Sequence, residues 1–492
     1  MQSKDKTQKR YSGVLLAVSS LPSNYGIGSF GVEAYKFIDF LRDSHQRFWQ
    51  ILPLNPIGEG NSPYKSSSAF AGELLYIDID FLVRDGLIDC CEIEDIKSSK
   101  NVDYNAVRSF KLPLLKKAVK RFDKENKNYK VFLRENEFWL NDYALFETAL
   151  QVFGVSSICD LPDDFKYKIP QFIDRFEEKY QSRIDFYKIA QYFFFCQYYE
   201  LKRYANKSGV DIIGDIPFYV SLDSADVWGN PDDFLLDQNF KPKQVAGVPP
   251  DIFSESGQLW GNPIYNWQNM REDNYDWWVK RLAFCCDMYD VIRIDHFRAF
   301  AKFYSIPYSK NALFGDWISG EGESFWNVVR EKLGDINIIA EDLGGEDDPQ
   351  VTKLLEKTGF PNMKILQFAF TGSMQNVFLP QNYSYNCVCY TGTHDNDTAL
   401  GWYNKASTKE RVIFNTLIRN NANCVPYDMV RALSKSDAMI CIVPMQDLLC
   451  LDSSARMNTP GTIGGNWVWR MSDDDINNEN AKLLKKLTKE RN

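Results

Sequence analysis

The chain of 492 residues is long enough either for two or three domains or for one large barrel with insertions. Its hydrophobic share of 44% and charged share of 25% are those of a globular protein, and aromatic residues reach 15%. The formal net charge of -9 argues against a nucleic acid or an anionic membrane as partner, because phosphate binding needs clustered positive charge.

Targeting and redox signals are mostly missing from the sequence. The apolar run GVLLAVSS at 13–20 is too short for a signal-peptide core or a membrane span, and Pro22 follows it. We therefore expect a soluble, cytoplasmic protein. The 11 cysteines include no C-x-x-C pair, so we expect reduced, mostly buried thiols rather than zinc ligands or a disulfide framework.

Short apolar runs recur along the chain, and each ends in polar or turn residues, as buried parallel strands do. Amphipathic stretches long enough for a helix separate most of these runs. Eight strands that alternate with helices predict an α/β fold, the (β/α)8 TIM barrel. The predicted strands are residues 13–19, 48–54, 210–216, 290–295, 336–342, 363–370, 386–392 and 438–444.

Two intervals between these strands are too long for a single crossover helix. Residues 55–209 carry helical patterns and predict a mainly helical subdomain inserted after the second strand. Residues 217–289 are rich in Gly, Pro, Asn, Asp and Trp and predict an irregular insertion after the third strand. We expect one catalytic barrel domain over 1–492, with both insertions over its C-terminal face, where barrel active sites lie.

Carboxylates stand at or just beyond the ends of four predicted strands, at Asp215, Asp295, Glu341 and Asp395. A single Asp after a strand is more often a helix N-cap, but four of them at one barrel mouth favour acid–base and nucleophilic chemistry. Glycoside cleavage or transfer is the reaction that most needs two carboxylates. Arg293, two residues before Asp295 on the same strand face, is placed to keep that carboxylate ionised or to form an ordinary buried ion pair.

No cofactor or metal site is predicted. The chain has only 3 His and no metal-spaced Cys/His set, and consecutive side chains such as His394 to Asp397 favour a turn over a metal site. Gly26, Gly28 and Gly31 form a G-x-G-x-x-G run, but the preceding strand ends too early and the next strand ends without an acidic residue for a ribose.

Aromatic residues in loops give a second clue, because sugar rings pack their C–H faces on flat aromatic side chains. Tyr64, Trp260, Tyr265 and Trp267 lie in Gly/Pro/Asn-rich segments, where a core residue is less expected. For each of them, packing within its own loop is the competing interpretation.

Several of these segments together resemble the 4-α-glucanotransferases known as amylomaltase or disproportionating enzyme, glycoside hydrolase family 77. The resemblance covers nearly the whole chain, and its most specific blocks are GQLWGNP, RIDHFR and GTHDNDT, with SPYKSSSAFAG and ARMNTPGTIGGNWVWR in addition. It implies a retaining (β/α)8 enzyme related to the α-amylases but without their C-terminal β-domain. Family members usually carry His-Pro-Thr where this chain has Ala17-Val18-Ser19, and Asn where it has Glu73.

The resemblance also assigns roles to individual residues. It implies that Asp295 is the nucleophile, Glu341 the general acid/base and Asp395 a third carboxylate that binds sugar hydroxyls. Arg293 and His394 are implied at the cleavage subsite. Tyr64 and Trp260 are implied as glucan contacts and Asp215 as a supporting polar residue.

These observations predict transfer between malto-oligosaccharides or α-glucans by a double displacement, for which retaining enzymes place two carboxylates about 5 Å apart. Two alternatives stay open: an α-amylase-like hydrolase and a catalytically idle glucan-binding protein. We expect a monomer or a homodimer, with no nucleic acid or membrane partner.

Overall fold

The structure is a computed structural model that describes residues 8–94, 99–250, 256–419 and 424–491. Eight parallel strands close into a barrel in the order β1-β12-β11-β10-β9-β6-β3-β2. The strands of the described residues are β1 (Tyr11–Leu15), β2 (Phe48–Gln50), β3 (Asp211–Pro217), β4 (Gln244–Val248), β5 (Gln258–Pro263), β6 (Val291–Asp295), β7 (Lys302–Pro307), β8 (Asp316–Ser319), β9 (Ile338–Ala340), β10 (Asn362–Ile365), β11 (Cys387–Tyr390) and β12 (Ile440–Pro444).

The predicted TIM barrel is confirmed, and each of the eight predicted strands contains or overlaps one barrel strand. The observed strands are shorter than the apolar runs that predicted them, except β3, which has the same length of 7 residues. The barrel strands are buried on both faces, and every residue of β2, β9, β11 and β12 is buried. This explains why they appear in the sequence as continuous apolar runs rather than as alternating patterns.

Helices surround the barrel and fill the long intervals between strands. They are α1 (Val32–Asp43), α2 (Ile79–Arg84), α3 (Tyr104–Arg121), α4 (Lys127–Glu135), α5 (Glu137–Phe153), α6 (Asp163–Lys166), α7 (Pro170–Lys207), α8 (Ala225–Gly229), α9 (Trp267–Glu272), α10 (Asp276–Met288), α11 (Gly322–Leu333), α12 (Pro349–Thr358), α13 (Ala399–Lys405), α14 (Thr408–Leu417), α15 (Val425–Lys435), α16 (Met445–Leu448) and α17 (Asn478–Leu487).

The excursion between β2 and β3 is built around α7, a helix of 38 residues with a kink at Tyr180. Two buried glutamines of α7 join it to the chain that follows β2. The Gln191 side chain both donates to and accepts from the backbone of Gly72, and Gln197 does the same with Asp78. Each amide therefore satisfies one backbone donor and one backbone acceptor in the interior, where unpaired groups are costly.

The excursion between β3 and β6 contains more regular structure than the sequence predicts. Besides α8, α9 and α10 it holds β4 and β5, which form an antiparallel sheet with β7 and β8 in the order β5-β4-β7-β8. The Gly- and Pro-rich composition concealed these strands. Their partners β7 and β8 come from a different part of the chain, after β6, so no local pattern indicates the pairing.

One expectation about the cysteines is wrong. Cys424 and Cys450 form a disulfide, with their Cα atoms 6.8 Å apart, and it connects the start of α15 to the chain after α16. The other cysteines are free thiols, as expected, but fewer than half of them are buried, whereas the sequence predicted that most would be; the buried ones are Cys285, Cys387, Cys389 and Cys441. Within the described ranges, no helix is both long and apolar enough to cross a bilayer.

A close approach at Gly214 fixes the distance between β3 and the chain after α10. A Cβ atom at Gly214 would lie 2.2 Å from Cγ of the buried Tyr289. We predict that Gly214→Ala lowers the free energy of unfolding by about 3 kcal/mol, because the ring has to move within a close-packed core. Urea denaturation measures this change. The double variant Gly214→Ala/Tyr289→Leu should recover part of the loss, and strict additivity would contradict the steric cause.

Candidate active site

Four predicted carboxylates meet at the C-terminal mouth of the barrel. Asp215 lies within β3, Asp295 ends β6 and Glu341 directly follows β9. Asp395 lies in the loop between β11 and α13. Since β3, β6 and β9 are neighbours in the barrel, parallel pairing places the first three side by side, as the strand-end argument predicts.

Arg293 connects two of these carboxylates. Its Nη1 donates to both carboxylate oxygens of Asp215, at 2.6 and 2.7 Å, and its Nη2 donates to Oδ1 of Asp295 at 2.9 Å. Pairing of β3 with β6 puts Asp215 directly opposite Arg293. Arg293 is only 2% exposed, so these charge-assisted bonds replace its hydration. The buried ion pair is therefore present, with Asp215, and the same guanidinium lies against Asp295, where its charge opposes the rise in pKa that burial causes.

The Glu341 carboxylate is surrounded differently. Its oxygens accept hydrogen bonds from the backbone N–H groups of His296, at 2.7 Å, and Leu343, at 2.8 Å. His296 has left-handed backbone angles (φ 55°, ψ 40°), at the point where the chain turns directly after β6. Burial, followed by the negative charge of Asp295, raises the pKa of Glu341 to about 8, against the opposing effects of Arg293 and the two N–H groups.

Asp295 titrates in the same group of charges. Burial raises the pKa of Asp295, Arg293 opposes this rise, and the neighbouring Asp215 and Asp395 add to it. The side chain of Asp295 is still 29% exposed at the mouth. Asp295 is therefore bonded to Arg293 on one side and open to the mouth of the barrel on another.

Asp395 is held as an anion. Burial alone would raise its pKa, but His394, Asn458 and Arg293 outweigh burial and hold the pKa well below the usual range. Asn458 donates to Oδ1 of Asp395 at 2.6 Å, and Nε2 of His394 lies 3.4 Å from Oδ2. In return, Asp395 keeps the pKa of His394 above its usual value although burial opposes this. Arg456 donates to the backbone oxygen of Asp395 at 2.6 Å.

Aromatic rings line one side of the mouth. The Tyr64 hydroxyl donates to Oδ2 of Asp215 at 2.7 Å, and the Tyr64 ring stacks on His394 with centroids 5.1 Å apart. Trp467 lies beside both rings, at 5.7 Å from Tyr64 and 5.8 Å from His394. Tyr64 is thus tied to the carboxylates rather than packed only within its own loop.

Trp260 lies on a different side of the same mouth. It belongs to β5, and its ring packs edge to face on the ring of His296, with centroids 4.8 Å apart. His296 directly follows Asp295 in the chain. Nε1 of Trp260 donates to Oε1 of Gln258 at 3.1 Å. Tyr265 and Trp267, by contrast, are buried in an aromatic cluster, so for these two the packing interpretation is correct.

The structure therefore brings together the eight residues to which the resemblance assigns roles, whereas Tyr265 and Trp267 lie outside the site. It also adds Asn458 and Trp467, which orient Asp395 and extend the aromatic side. Both belong to the ARMNTPGTIGGNWVWR block, and no spacing rule within that block points to these two positions. Among the residues described, no three His, Cys, Asp or Glu side chains are grouped so that they could hold a metal ion.

A family model described as 4-alpha-glucanotransferase matches residues 16–476 of the chain. The chain belongs to this family, glycoside hydrolase family 77. A 4-alpha-glucanotransferase of Streptococcus pneumoniae is 44% identical, over 95% of this chain and 94% of the relative. One from Thermus thermophilus is 38% identical, over 97% of this chain and 98% of the relative.

Solved structures agree with this assignment. The amylomaltase of Streptococcus agalactiae, solved in complex with acarbose, superposes with a TM-score of 0.95 at 40% identity, over 98% of this chain and 99% of the other. The amylomaltase of Corynebacterium glutamicum, at 18% identity and a TM-score of 0.77, shares the fold over 98% of this chain and 75% of its own. The activity of the chain is 4-α-glucanotransferase activity, with the retaining mechanism that is general in this family.

The Arg293 ion pairs generate a stability prediction. Asp215→Asn leaves a buried guanidinium with one carboxylate instead of two, and we predict a loss of about 3 kcal/mol in the free energy of unfolding. We expect kcat/KM for transfer to fall at least tenfold, because Arg293 then shifts relative to Asp295. Denaturation curves and initial rates measure both effects.

Asp211 provides the matched control, since it starts the same strand and pairs with the half-exposed Arg47 at the opposite end of the barrel. Asp211→Asn should cost less than about 1 kcal/mol and leave kcat/KM unchanged. Equal losses in the two variants would show that Asp215 has no special relation to Asp295.

Proposed function

We propose that Asp295 is the nucleophile and Glu341 the general acid/base of the glucanotransferase reaction. The observation that supports this most directly is the unequal environment of the two side chains. Asp295 faces the Arg293 guanidinium, whereas Glu341 has only backbone N–H groups beside it and a pKa raised to about 8. A general acid has to be protonated, and burial together with the charge of Asp295 favours that state of Glu341. A nucleophile has to be ionised, and the charge of Arg293 opposes the rise in the pKa of Asp295 that burial causes.

In the first half of the reaction, Glu341 gives its proton to the glycosidic oxygen that leaves. Asp295 attacks the anomeric carbon, and a covalent glucosyl ester forms as the C–O bond to the leaving chain breaks. The negative charge of Asp295 is lost in the ester. Because that charge is one of the causes that raise the pKa of Glu341, its loss lowers this pKa and prepares Glu341 to act as a base.

In the second half, Glu341 takes the proton from the 4-hydroxyl of an acceptor glucan, and that oxygen displaces Asp295 from the anomeric carbon. The acceptor replaces water in this step, and the enzyme is thereby a transferase. Trp260 is well placed for an acceptor ring, since it lies beside His296 directly after the nucleophile. A flat indole offers a surface for the C–H face of a sugar.

We assign the remaining polar residues to the sugar at the cleavage point. Asp395, kept ionised by His394 and Asn458, accepts hydrogen bonds from sugar hydroxyls, and these bonds strengthen as the ring distorts toward the transition state. Tyr64 forms a stacking surface there, with Asp215 holding its hydroxyl. His394 contributes its ring edge from beneath Tyr64.

Wider aspects of the function belong to the same proposal. Acarbose in the complex of the Streptococcus agalactiae relative supports malto-oligosaccharides and α-glucans as substrates here. We propose a role in starch or glycogen metabolism in the cytoplasm, as a monomer or homodimer, with no nucleic acid or membrane partner. The net charge of -9 supports the last point. We regard 55–209 and 217–289 as subdomains inserted into one barrel.

If the acceptor is a sugar rather than water, the products include chains longer than the substrate. Maltotriose incubated with the enzyme should yield glucose together with maltopentaose and longer chains, separated by anion-exchange chromatography. Asp295→Asn should lose turnover while keeping its affinity for maltotriose in calorimetry, since only the nucleophile is removed. Maltose and glucose without longer products would support the hydrolase alternative, and full turnover by Asp295→Asn would contradict our assignment of the nucleophile.

The assignment of Glu341 as general acid predicts how kcat/KM depends on pH. With maltotriose, kcat/KM should fall as the pH rises through about 8, because Glu341 loses the proton that the leaving oxygen needs. On the acid side, kcat/KM should fall as Asp295 becomes protonated, above the usual range of an aspartate because burial raises its pKa. Initial rates from pH 4 to 10 give both limbs.

Glu341→Gln tests the assignment of the alkaline limb. The variant should lose about a thousandfold in kcat/KM with maltotriose but keep much of its rate with α-maltosyl fluoride, because fluoride leaves without a proton. With that donor the alkaline limb should disappear. If the limb persists near pH 8 in Glu341→Gln, it belongs to another group.

A further inference from the structure

The loop that carries His394 and Asp395 is closed by a single buried side chain outside the site described above. We call residues 391–399 the Asp395 loop; it begins where β11 ends and reaches the first residue of α13. Asp447, in α16, is 1% exposed. Its Oδ2 accepts from the Thr391 hydroxyl at 2.5 Å and its Oδ1 accepts from the Ala399 N–H at 2.7 Å. One carboxylate thus holds both ends of the loop.

The N-cap function of α13 does not account for this arrangement. Thr398 is the N-cap residue of α13, and its hydroxyl accepts from the N–H of Gly401 at 3.0 Å. Asp447 instead takes the N–H of Ala399, a helix-start donor that has no partner within the helix. The second oxygen of Asp447 reaches Thr391, eight residues earlier in the chain, where no helix needs capping. The carboxylate therefore joins two points whose separation determines the shape of the loop.

The chain that follows Asp447 contacts the same loop at further points. Ser453 donates to Oδ2 of Asp397 at 2.7 Å, and Asn458 donates to Oδ1 of Asp395 at 2.6 Å. The N–H of Asn458 also donates to the backbone oxygen of His394 at 3.0 Å. Asp447 is thus bonded to the first residue of the Asp395 loop, and the segment that orients the Asp395 side chain follows Asp447 directly in the chain.

We propose that Asp447 is a positioning residue for catalysis, which sets the location of the Asp395 carboxylate by holding the two ends of its loop together. Asp447 touches neither of the reacting carboxylates in the structure and acts through Asp395. The proposal rests on the role proposed above for Asp395. Loss of the Asp447 carboxylate would let the loop ends separate, and a shift of about 1 Å in a catalytic group is enough to cost up to a hundredfold in rate.

A double-mutant cycle distinguishes positioning from simple structural support. Asp447→Ala is combined with Asp395→Asn, and kcat/KM is measured with α-maltosyl fluoride at a temperature where all four proteins are folded by circular dichroism. We expect Asp447→Ala to lower kcat/KM about tenfold when Asp395 is present and less than about twofold when residue 395 is Asn. The same factor in both backgrounds would overturn the proposal.

The outcome for Asp395→Asn alone is read separately. If that variant keeps the wild-type rate, the role proposed for Asp395 is wrong and the positioning proposal falls with it. If it is slow and the cycle is additive, only the proposal about Asp447 falls.

Two further variants cover the case that Asp447→Ala does not fold. Thr391→Val removes the hydroxyl at one end of the loop with little change in volume, and Thr391→Ser restores a hydroxyl. We expect Thr391→Val to show the coupling to Asp395 and Thr391→Ser to recover most of the rate. Equal rates for the two variants would contradict the proposal.

Asp428 supplies the matched control for a lost buried carboxylate. It is 1% exposed, lies in α15 and pairs with Arg431 rather than with the Asp395 loop. Asp428→Ala should lower the melting temperature as Asp447→Ala does, yet its effect on kcat/KM should be below about twofold. A rate loss equal to that of Asp447→Ala would assign the effect to general destabilisation.

Discussion

The arrangement of the site depends on one buried cation, the guanidinium of Arg293. A buried charge is tolerated only when its partners replace water, and here Asp215 and Asp295 do so through separate N–H groups of a planar fork. The fork fixes the directions of both carboxylates at once. Without it, several acidic groups at one mouth would raise each other's pKa, and the attacking carboxylate would tend to bind a proton. The parallel pairing of β3 with β6 is what places Asp215 opposite Arg293.

The carboxylates at the barrel mouth differ in pKa because their surroundings differ. Glu341 is buried and faces the negative charge of Asp295, and both raise its pKa and favour its protonated form although two backbone N–H groups and Arg293 oppose them. Asp395 receives His394 and Asn458, so its ionised form is favoured. The backbone turn at His296, directly after β6, aims an N–H group at Glu341 and thereby limits the rise in its pKa.

The barrel and the positions of the carboxylates could be predicted from the sequence because both follow from local patterns. Strands buried on two faces appear as apolar runs, and the ends of parallel barrel strands meet at the mouth, so carboxylates that follow several such runs are expected to lie there together. The sheet of β4, β5, β7 and β8 could not be predicted, since β4 and β5 lie in a Gly- and Pro-rich segment and the sheet pairs strands from before and after β6. The Cys424–Cys450 disulfide joins residues with no distinctive spacing. Asn458 and Asp447 act by hydrogen bonds to a distant loop, which leave no periodic signal.

The four-stranded sheet makes two separate stretches of chain into a single wall of the site. Trp260 lies on β5, whereas β7 and β8 follow β6 and therefore the nucleophile strand. The strand that carries Trp260 is thus hydrogen-bonded through β4 to β7, which follows Asp295 in the chain. In evolutionary terms, the sheet that carries Trp260 cannot be exchanged between enzymes as one continuous stretch of sequence. A recombination that imports residues 218–289 alone would carry half of a sheet, and only one that also imports residues 302–319 keeps the wall attached to the strand whose chemistry it serves.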